Sequence, residues 1–354
     1  MAPTRRKFLK GCFAAAGAAV LGCLGLIRPK AKAATTLPPD PHIYGDPSTY
    51  GTNSPRAPRY LELERSGELA RREQTLWAML EKCRLCPRNC DVNRLAGRRG
   101  ACSTGAEFRV ASHGPHFGEE APLVGRRGSG TIFFSNCSLL CVFCQNWQIA
   151  HRGDGRETTH AQLADMMIDL QRRGVHNINL VTPTHLIPHI IRSVRLAIPR
   201  GLNLPILYNT GGYESMEVMR LLDGIVSVYL PDFKVQNNDL AVRFFNGARD
   251  YVEHTSAAIK EMHRQVGTLR SSRGAAYQGL LIRHLIMPEN TAGTDEFVRW
   301  VVRELGPETH VNIMGQYRPM FQAAQFPPLN RRITPAEYNQ AMRWARQAGL
   351  RNFH

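Results

Sequence analysis

The sequence has no cysteine beyond Cys144, none between Cys102 and Cys137, and none between Cys23 and Cys83. Exported proteins held by disulfides spread an even number of cysteines over the fold to tie distant segments together. Here the seven cysteines outside the first 33 residues fall into two tight groups, which argues against that architecture. Acidic residues are missing from the first 33 positions, which hold seven basic ones: Arg5, Arg6, Lys7, Lys10, Arg28, Lys30 and Lys32. Apolar stretches long enough to cross a bilayer are also scarce. "GCFAAAGAAVLGCLGLI" has 17 residues and sits at the lower limit for spanning. Nowhere are basic residues interleaved with aromatics in the kind of patch that holds single-stranded nucleic acid, so no nucleic-acid partner is expected.

What is present describes a folded chain. At 354 residues, 43% apolar and 21% charged, it can bury a large core and is neither disordered nor fibrous. Its net charge of +16 falls to +9 without the seven leading basic residues, and the remaining ones are scattered among acidic residues, as on a solvated surface. The basic start, the apolar stretch and "AKA" before Ala34 have the anatomy of a signal peptide over residues 1–33. Arg5-Arg6 followed by Phe8, Leu9 and Lys10 resembles the twin-arginine export signal, which implies the twin-arginine translocase as a partner and a periplasmic or membrane-associated location. An uncleaved membrane anchor or a lipid-modified Cys23 is the alternative, and a non-functional signal leaves the protein cytoplasmic. Residues 34–58, rich in Pro, Gly, Ser and Thr, read as a linker.

The clustered cysteines point to metal. Cys137, Cys141 and Cys144 form C-x3-C-x2-C, three thiolates that can hold three irons of a cubane cluster and leave the fourth iron open. An open position separates a catalytic metal site from a structural one. The bland alternative is zinc completed by a residue such as His151. Cys83, Cys86, Cys90 and Cys102 form C-x2-C-x3-C-x11-C after a helical stretch. Four thiolates complete a coordination sphere, so this second metal site is structural zinc or an accessory iron–sulfur cluster, with a pair of disulfides as the remaining reading.

Downstream, apolar runs at 131–136, 177–183, 204–210, 224–234, 279–288 and 310–317 alternate with amphipathic stretches. Leu163, Met166, Met167 and Leu170, for example, share one helical face. Six strand–helix units predict a parallel sheet, and six fall short of the eight that close a barrel. The expected fold is therefore α/β: a partial (β/α)6 TIM-like barrel over residues 126–354, preceded by a helical, cysteine-rich segment over 59–125. In such barrels the chemistry collects at the carboxyl ends of the strands.

C-x3-C-x2-C with Phe143 before its last cysteine resembles the signature of the radical S-adenosylmethionine (SAM) enzymes. "GPHFGEEAPLVGRRGSGTIFFSNCSLLCVFCQNWQIA", "NINLVTPTH", "LYNTGGYES", "LDGIVSVYLPDFK" and "EMHRQVG" resemble the pyruvate formate-lyase activating-enzyme-like subfamily over residues 75–350. The resemblance implies a radical SAM fold, a [4Fe-4S] cluster on Cys137, Cys141 and Cys144, and SAM as cofactor. It also implies one-electron cleavage of SAM to a 5′-deoxyadenosyl radical, an electron donor of flavodoxin or ferredoxin type, and hydrogen abstraction from a substrate such as a glycine of a partner protein. By the same resemblance Phe143 lies by the adenine, while Asn209, Asp232, Lys234 and Arg283 contact SAM. Plainer roles for these residues are a helix cap at Asn209, a rim ion pair between Asp232 and Lys234, and a surface position for Arg283.

One departure stands out. Activating enzymes carry Gly-Gly-Glu at the end of the second strand, and this chain has Thr182, Pro183, Thr184 and His185 there. A noncatalytic iron–sulfur electron-transfer or binding protein on the same scaffold is the alternative function.

Overall fold

The computed structural model describes residues 57–354. The export signal read at 1–33, and all of the linker but Ala57 and Pro58, lie outside the described residues. Among the described residues no helix is long and apolar enough to cross a membrane.

Nine strands form there: β1 (Phe108–His116), β2 (Ser129–Phe134), β3 (Arg156–Thr158), β4 (Ile178–Val181), β5 (Ile206–Thr210), β6 (Val228–Pro231), β7 (Arg270–Ser272), β8 (Ala275–Leu285) and β9 (His310–Met314). The strands β2, β4, β5, β6, β8 and β9 run parallel, each beside the next, and fall on the six apolar runs of the sequence. Helices join them: His160–Arg172, Ile187–Ala197, Met216–Leu221, then Asn238–Phe244 with Tyr251–Val266, and finally Thr294–Leu305. Residues at the ends of all six strands line one cavity, so the sheet curls around it as a partial (β/α)6 barrel.

Local chemistry accounts for these elements. Every residue of β4, β5 and β6 is buried, as strands covered on both faces require. The helix His160–Arg172 opens with a capping box: Thr159 accepts the Gln162 N–H, and the Gln162 side chain accepts the Thr159 N–H. It then buries Leu163, Ala164, Met167, Ile168 and Leu170.

The stretch 59–125 also contributes a strand. It begins with helices Tyr60–Arg65 and Glu68–Ala78, where Tyr60 donates to the Leu204 carbonyl at 3.0 Å and buried Glu73 accepts from Arg192 and Arg195, both at 2.6 Å. Its far end, β1, pairs antiparallel with β2, while β3 pairs antiparallel with the first residues of β1. Gly114 and Pro115 break the alternating pattern of β1 and hide it from a sequence reading. They fall where only β2 pairs with it, the position in which a sheet tolerates proline.

Between β1 and β2 the chain passes through the barrel interior. Leu123 packs there with Leu207, Val228, Leu230, Ala276 and Leu281, and its carbonyl accepts from Asn177 Nδ2 at 2.9 Å. This plug closes the barrel beneath the cavity and brings Glu119 and Glu120 inside.

Candidate functional site

Strand geometry decides which side chains face the cavity. Residues two apart on a strand share a face. Leu207, Leu230 and Leu281 point inward against the plug, so Asn209, Asp232 and Arg283 point inward one layer higher, and all three line the cavity of about 280 Å³. Cys137, Cys141, Phe143, Cys144 and Lys234 line it too. The eight residues expected from sequence at the three-cysteine site thus share one cavity at the carboxyl ends of the parallel strands.

The cysteine loop leaves β2 through Asn136, and both Asn136 (φ +70°) and Leu140 (φ +55°) adopt left-handed backbone. Three contacts hold it: the Asn136 N–H donates to Ile149 O at 2.9 Å, the Val142 N–H to Phe244 O at 2.9 Å, and His151 Nε2 to Cys141 O at 3.0 Å. His151 therefore braces the loop through its Nε2. Backbone N–H groups also reach the sulfurs, Leu139 to Cys137 Sγ at 3.3 Å and Asn146 to Cys144 Sγ. Burial pushes the Cys137 and Cys141 thiols up, and Cys144 to about 11. Metal binding has to overcome that cost, because only thiolates are ligands.

Among the described residues no three His, Cys, Asp or Glu side chains are gathered tightly enough to share one metal ion. A cubane asks instead for one thiolate on each of three separate irons. Three thiols on one cavity wall, two of them with N–H donors aimed at sulfur, fit that group.

The opposite wall is an ion network. Asp232 accepts from Lys234 Nζ at 2.6 Å and from Arg283 Nε at 2.7 Å. Arg283 also donates to Asn209 Oδ1 at 2.6 Å and to Glu119 Oε2 at 3.3 Å. Burial works against every charge here, yet Arg283 and Lys234 still hold Asp232 below its ordinary value, and Asp232 in turn holds Lys234 up. Burial raises Glu119, with Arg283 pulling it back. The rim ion pair exists, then, but inside the cavity. Arg283 is largely buried rather than on the surface. Asn209 does not cap the following helix, whose N-cap Ser215 makes no side-chain cap bond. Phe143 lines the cavity while its ring packs at about 6 Å from those of Phe244, Phe245 and Tyr317.

Cys83, Cys86, Cys90 and Cys102 stand apart from the cavity as free thiols, with no disulfide between them. Cys86 Sγ accepts from the Arg88 N–H and Cys90 Sγ from the Ala101 N–H at 3.3 Å. Burial raises the Cys86 thiol, and the three neighbouring thiols add to the rise. Arg88 pins this segment to the other cysteine loop by donating to the Ser138 carbonyl at 3.0 Å, and to the turn after the helix Asn238–Phe244 by donating to the Asn246 carbonyl at 2.6 Å. The two groups come within electrostatic reach at Cys102 and Cys137.

Several residues of the site escape a sequence reading. Glu119 and Glu120 arrive on the plug, and Glu120 accepts from Asn312 Nδ2 at 2.9 Å while its Oε2 is buried without a partner. Their adjacency in "GEEAPLV" was the one available signal. Arg94 is fully buried, donates to Gly105 O at 2.9 Å and His185 O at 2.7 Å, and leaves Nη2 unpartnered. His185, which the sequence does place at the end of the second strand, is outside the cavity lining: it is buried, donates from Nε2 to Ser135 O at 2.9 Å, and is driven down to about 4 by burial. A third buried group, Glu214, lies behind Thr184 and Thr210.

Comparison with known proteins agrees with this geometry. The pattern described as "Radical SAM superfamily" matches residues 131–300. An uncharacterized protein of Methanocaldococcus jannaschii, MJ0674, is 32% identical over 282 residues, covering 77% of this chain and 76% of its own. Among solved structures, Streptococcus suis SuiB bound to S-adenosylmethionine is similar at TM-score 0.40 and 15% identity, over 62% of this chain and 48% of that one. TYW1 with a lysine-pyruvate adduct bound is similar at TM-score 0.38 and 10% identity, over 61% and 73%. This chain thus spans about half the length of SuiB. With the family pattern over residues 131–300 and a relative 32% identical over most of both chains, the chain belongs to the radical SAM superfamily.

Proposed function

We propose that this protein is an enzyme that binds SAM beside a [4Fe-4S] cluster on Cys137, Cys141 and Cys144 and abstracts hydrogen from a substrate outside the cavity. The observation that carries the reading is the convergence of those thiols with Asn209, Asp232, Lys234 and Arg283 on one cavity. When bound, the cluster supplies one electron that cleaves SAM to a 5′-deoxyadenosyl radical. The chain's own residues bind and orient. Lys234 and Arg283, neutralised in part by Asp232, face the ligand with donors, Asn209 is fixed by Arg283, and Phe143 offers an apolar edge to a base. The plug closes the barrel below and keeps water from entering from that side.

The finer assignments follow the sequence resemblance. The substrate is a glycine Cα–H of a partner protein, and the electron comes from a flavodoxin or ferredoxin. The second cysteine group holds a metal as thiolates; of the two readings, zinc and a second iron–sulfur cluster, the cluster is favoured because these thiols are not gathered around one ion. Residues 1–33 direct twin-arginine export, a route compatible with a cluster assembled before transport.

Anaerobic reconstitution followed by dithionite and SAM tests the chemistry, with 5′-deoxyadenosine as the product measured. The expected outcome is product from the wild type and none from Cys141→Ala. A fully loaded wild type that yields no more than this control would point to the noncatalytic iron–sulfur protein instead. Fractionation of wild type against an Arg5→Lys/Arg6→Lys variant tests export.

A further inference from the structure

The sulfur of Cys137 stands at the end of two short chains of dipoles that both begin at Arg88. The Leu139 N–H donates to Cys137 Sγ at 3.3 Å, and the Leu140 N–H donates to the same sulfur. Leu140 has left-handed backbone at φ +55°, and such a turn lets successive N–H groups converge on one anion. The carbonyl of each of these two peptide groups belongs to the preceding residue, and one guanidinium holds both. Arg88 Nε donates to Ser138 O at 3.0 Å, and Arg88 Nη2 donates to Leu139 O at 3.4 Å.

The rest of the Arg88 side chain is held as firmly. Nη1 donates to Asn246 O at 2.6 Å and Nη2 to Phe245 O, and the guanidinium carbon lies 5.7 Å from the centre of the Tyr213 ring. Its hydrogen-bond partners among the described residues are all neutral carbonyls, so its charge acts on them undiminished by a carboxylate. A cation at the oxygen end of a peptide group and a thiolate at its N–H end polarise that group in the same direction, and bonds in such a chain strengthen one another. Hydrogen bonds to the ligand sulfurs are among the features that set the potential of an iron–sulfur cluster. One-electron reduction adds negative charge at the cluster and its sulfurs, so donors aimed at a sulfur favour the reduced state. Only a planar fork reaches several carbonyls at once, which a lysine ammonium does not.

From this geometry we infer that Arg88 is a positioning residue that raises the reduction potential of the cluster on Cys137, Cys141 and Cys144, acting on Cys137 through the Ser138–Leu139 and Leu139–Leu140 peptide groups. The inference rests on the cluster and SAM reading proposed above, and its test separates the two. Anaerobic redox titration of the reconstituted full chain, followed by electron paramagnetic resonance, gives the midpoint potential of the signal that responds to SAM. Arg88→Met keeps the bulk of the side chain and removes its donors. It is expected to make reduction about tenfold less favourable, the scale of one hydrogen bond to a charged group, which is a potential about 59 mV lower for a one-electron couple. Arg88→Lys keeps the charge without the fork and is expected to lose about threefold. Phe321→Ala serves as the control for loosened packing, because Phe321 supports the helical turn after the cysteine loop, its ring 5.5 Å from that of Trp147 and 4.3 Å from that of His151. It is expected to leave the potential unchanged. Iron content equal to wild type establishes that each variant keeps its cluster. Should Arg88→Met lose it, Arg88→Lys is read in the same way. A potential equal to wild type in the Arg88 variants, or a fall of the same size in Phe321→Ala, would overturn the role of Arg88. A wild type with no signal that responds to SAM would overturn the cluster and SAM reading itself, and the inference with it.

Discussion

Replacing Arg283 with methionine removes the cation that joins both halves of the ion network. Its guanidinium donates to Asp232 at 2.7 Å, Asn209 at 2.6 Å and Glu119 at 3.3 Å, all inside the barrel. Asp232 would keep Lys234 at 2.6 Å, whereas Glu119 would keep only Asn209 Nδ2 at 3.5 Å. Breaking a buried ion pair by removing one partner costs about 3–5 kcal/mol. Because Asp232 retains a cation, the lower end applies, about 3 kcal/mol at about pH 8.

The pH dependence has a definite sign. Burial already holds Glu119 above its ordinary value, and losing Arg283 raises it further. A carboxyl raised in the folded state destabilises as pH climbs above its unfolded value, so the variant's deficit should be larger at about pH 8 than at about pH 5, where Glu119 is protonated at small cost. Asp232, held low, gives stability above its unfolded value that is lost only as pH falls below it, outside this window. Urea unfolding followed by tryptophan fluorescence at both pH values is the assay. A loss under about 1 kcal/mol, the size of an exposed pair, or one equal at both pH values, would refute the reasoning.

Three further perturbations probe other parts of the molecule. Gly212→Ala places a Cβ 2.4 Å from the Asp232 carbonyl oxygen at a backbone φ of +84°, so thermal denaturation should register a loss of at least about 2 kcal/mol. Thr159→Ala removes the helix cap over Gln162 and should cost about 1 kcal/mol by the same measurement, without changing cluster content. Cys102→Ser should reduce total bound metal while the chromophore of the Cys137, Cys141 and Cys144 cluster persists, and elemental analysis beside absorbance checks it.

The cysteine spacing by itself placed three thiols on one loop, and the apolar periodicity determined the barrel class. Both are local facts: three thiolates within eight residues must share a loop, and continuous apolar runs such as those of β4 and β6 must be covered on both faces. Asn209, Asp232 and Arg283 were legible because strand ends in such a barrel converge, and alternation then put all three on the inner face. Tertiary structure alone decided what these residues touch. Glu119 comes from a plug threaded through the barrel, far in sequence from Arg283, and no periodicity announces it. Glu214 looked like an ordinary residue before a helix until the fold closed Thr184 and Thr210 over it. A side chain's neighbours across a barrel are set by the curl of the sheet and the path of its connections, and those are properties of the whole chain rather than of any window in it.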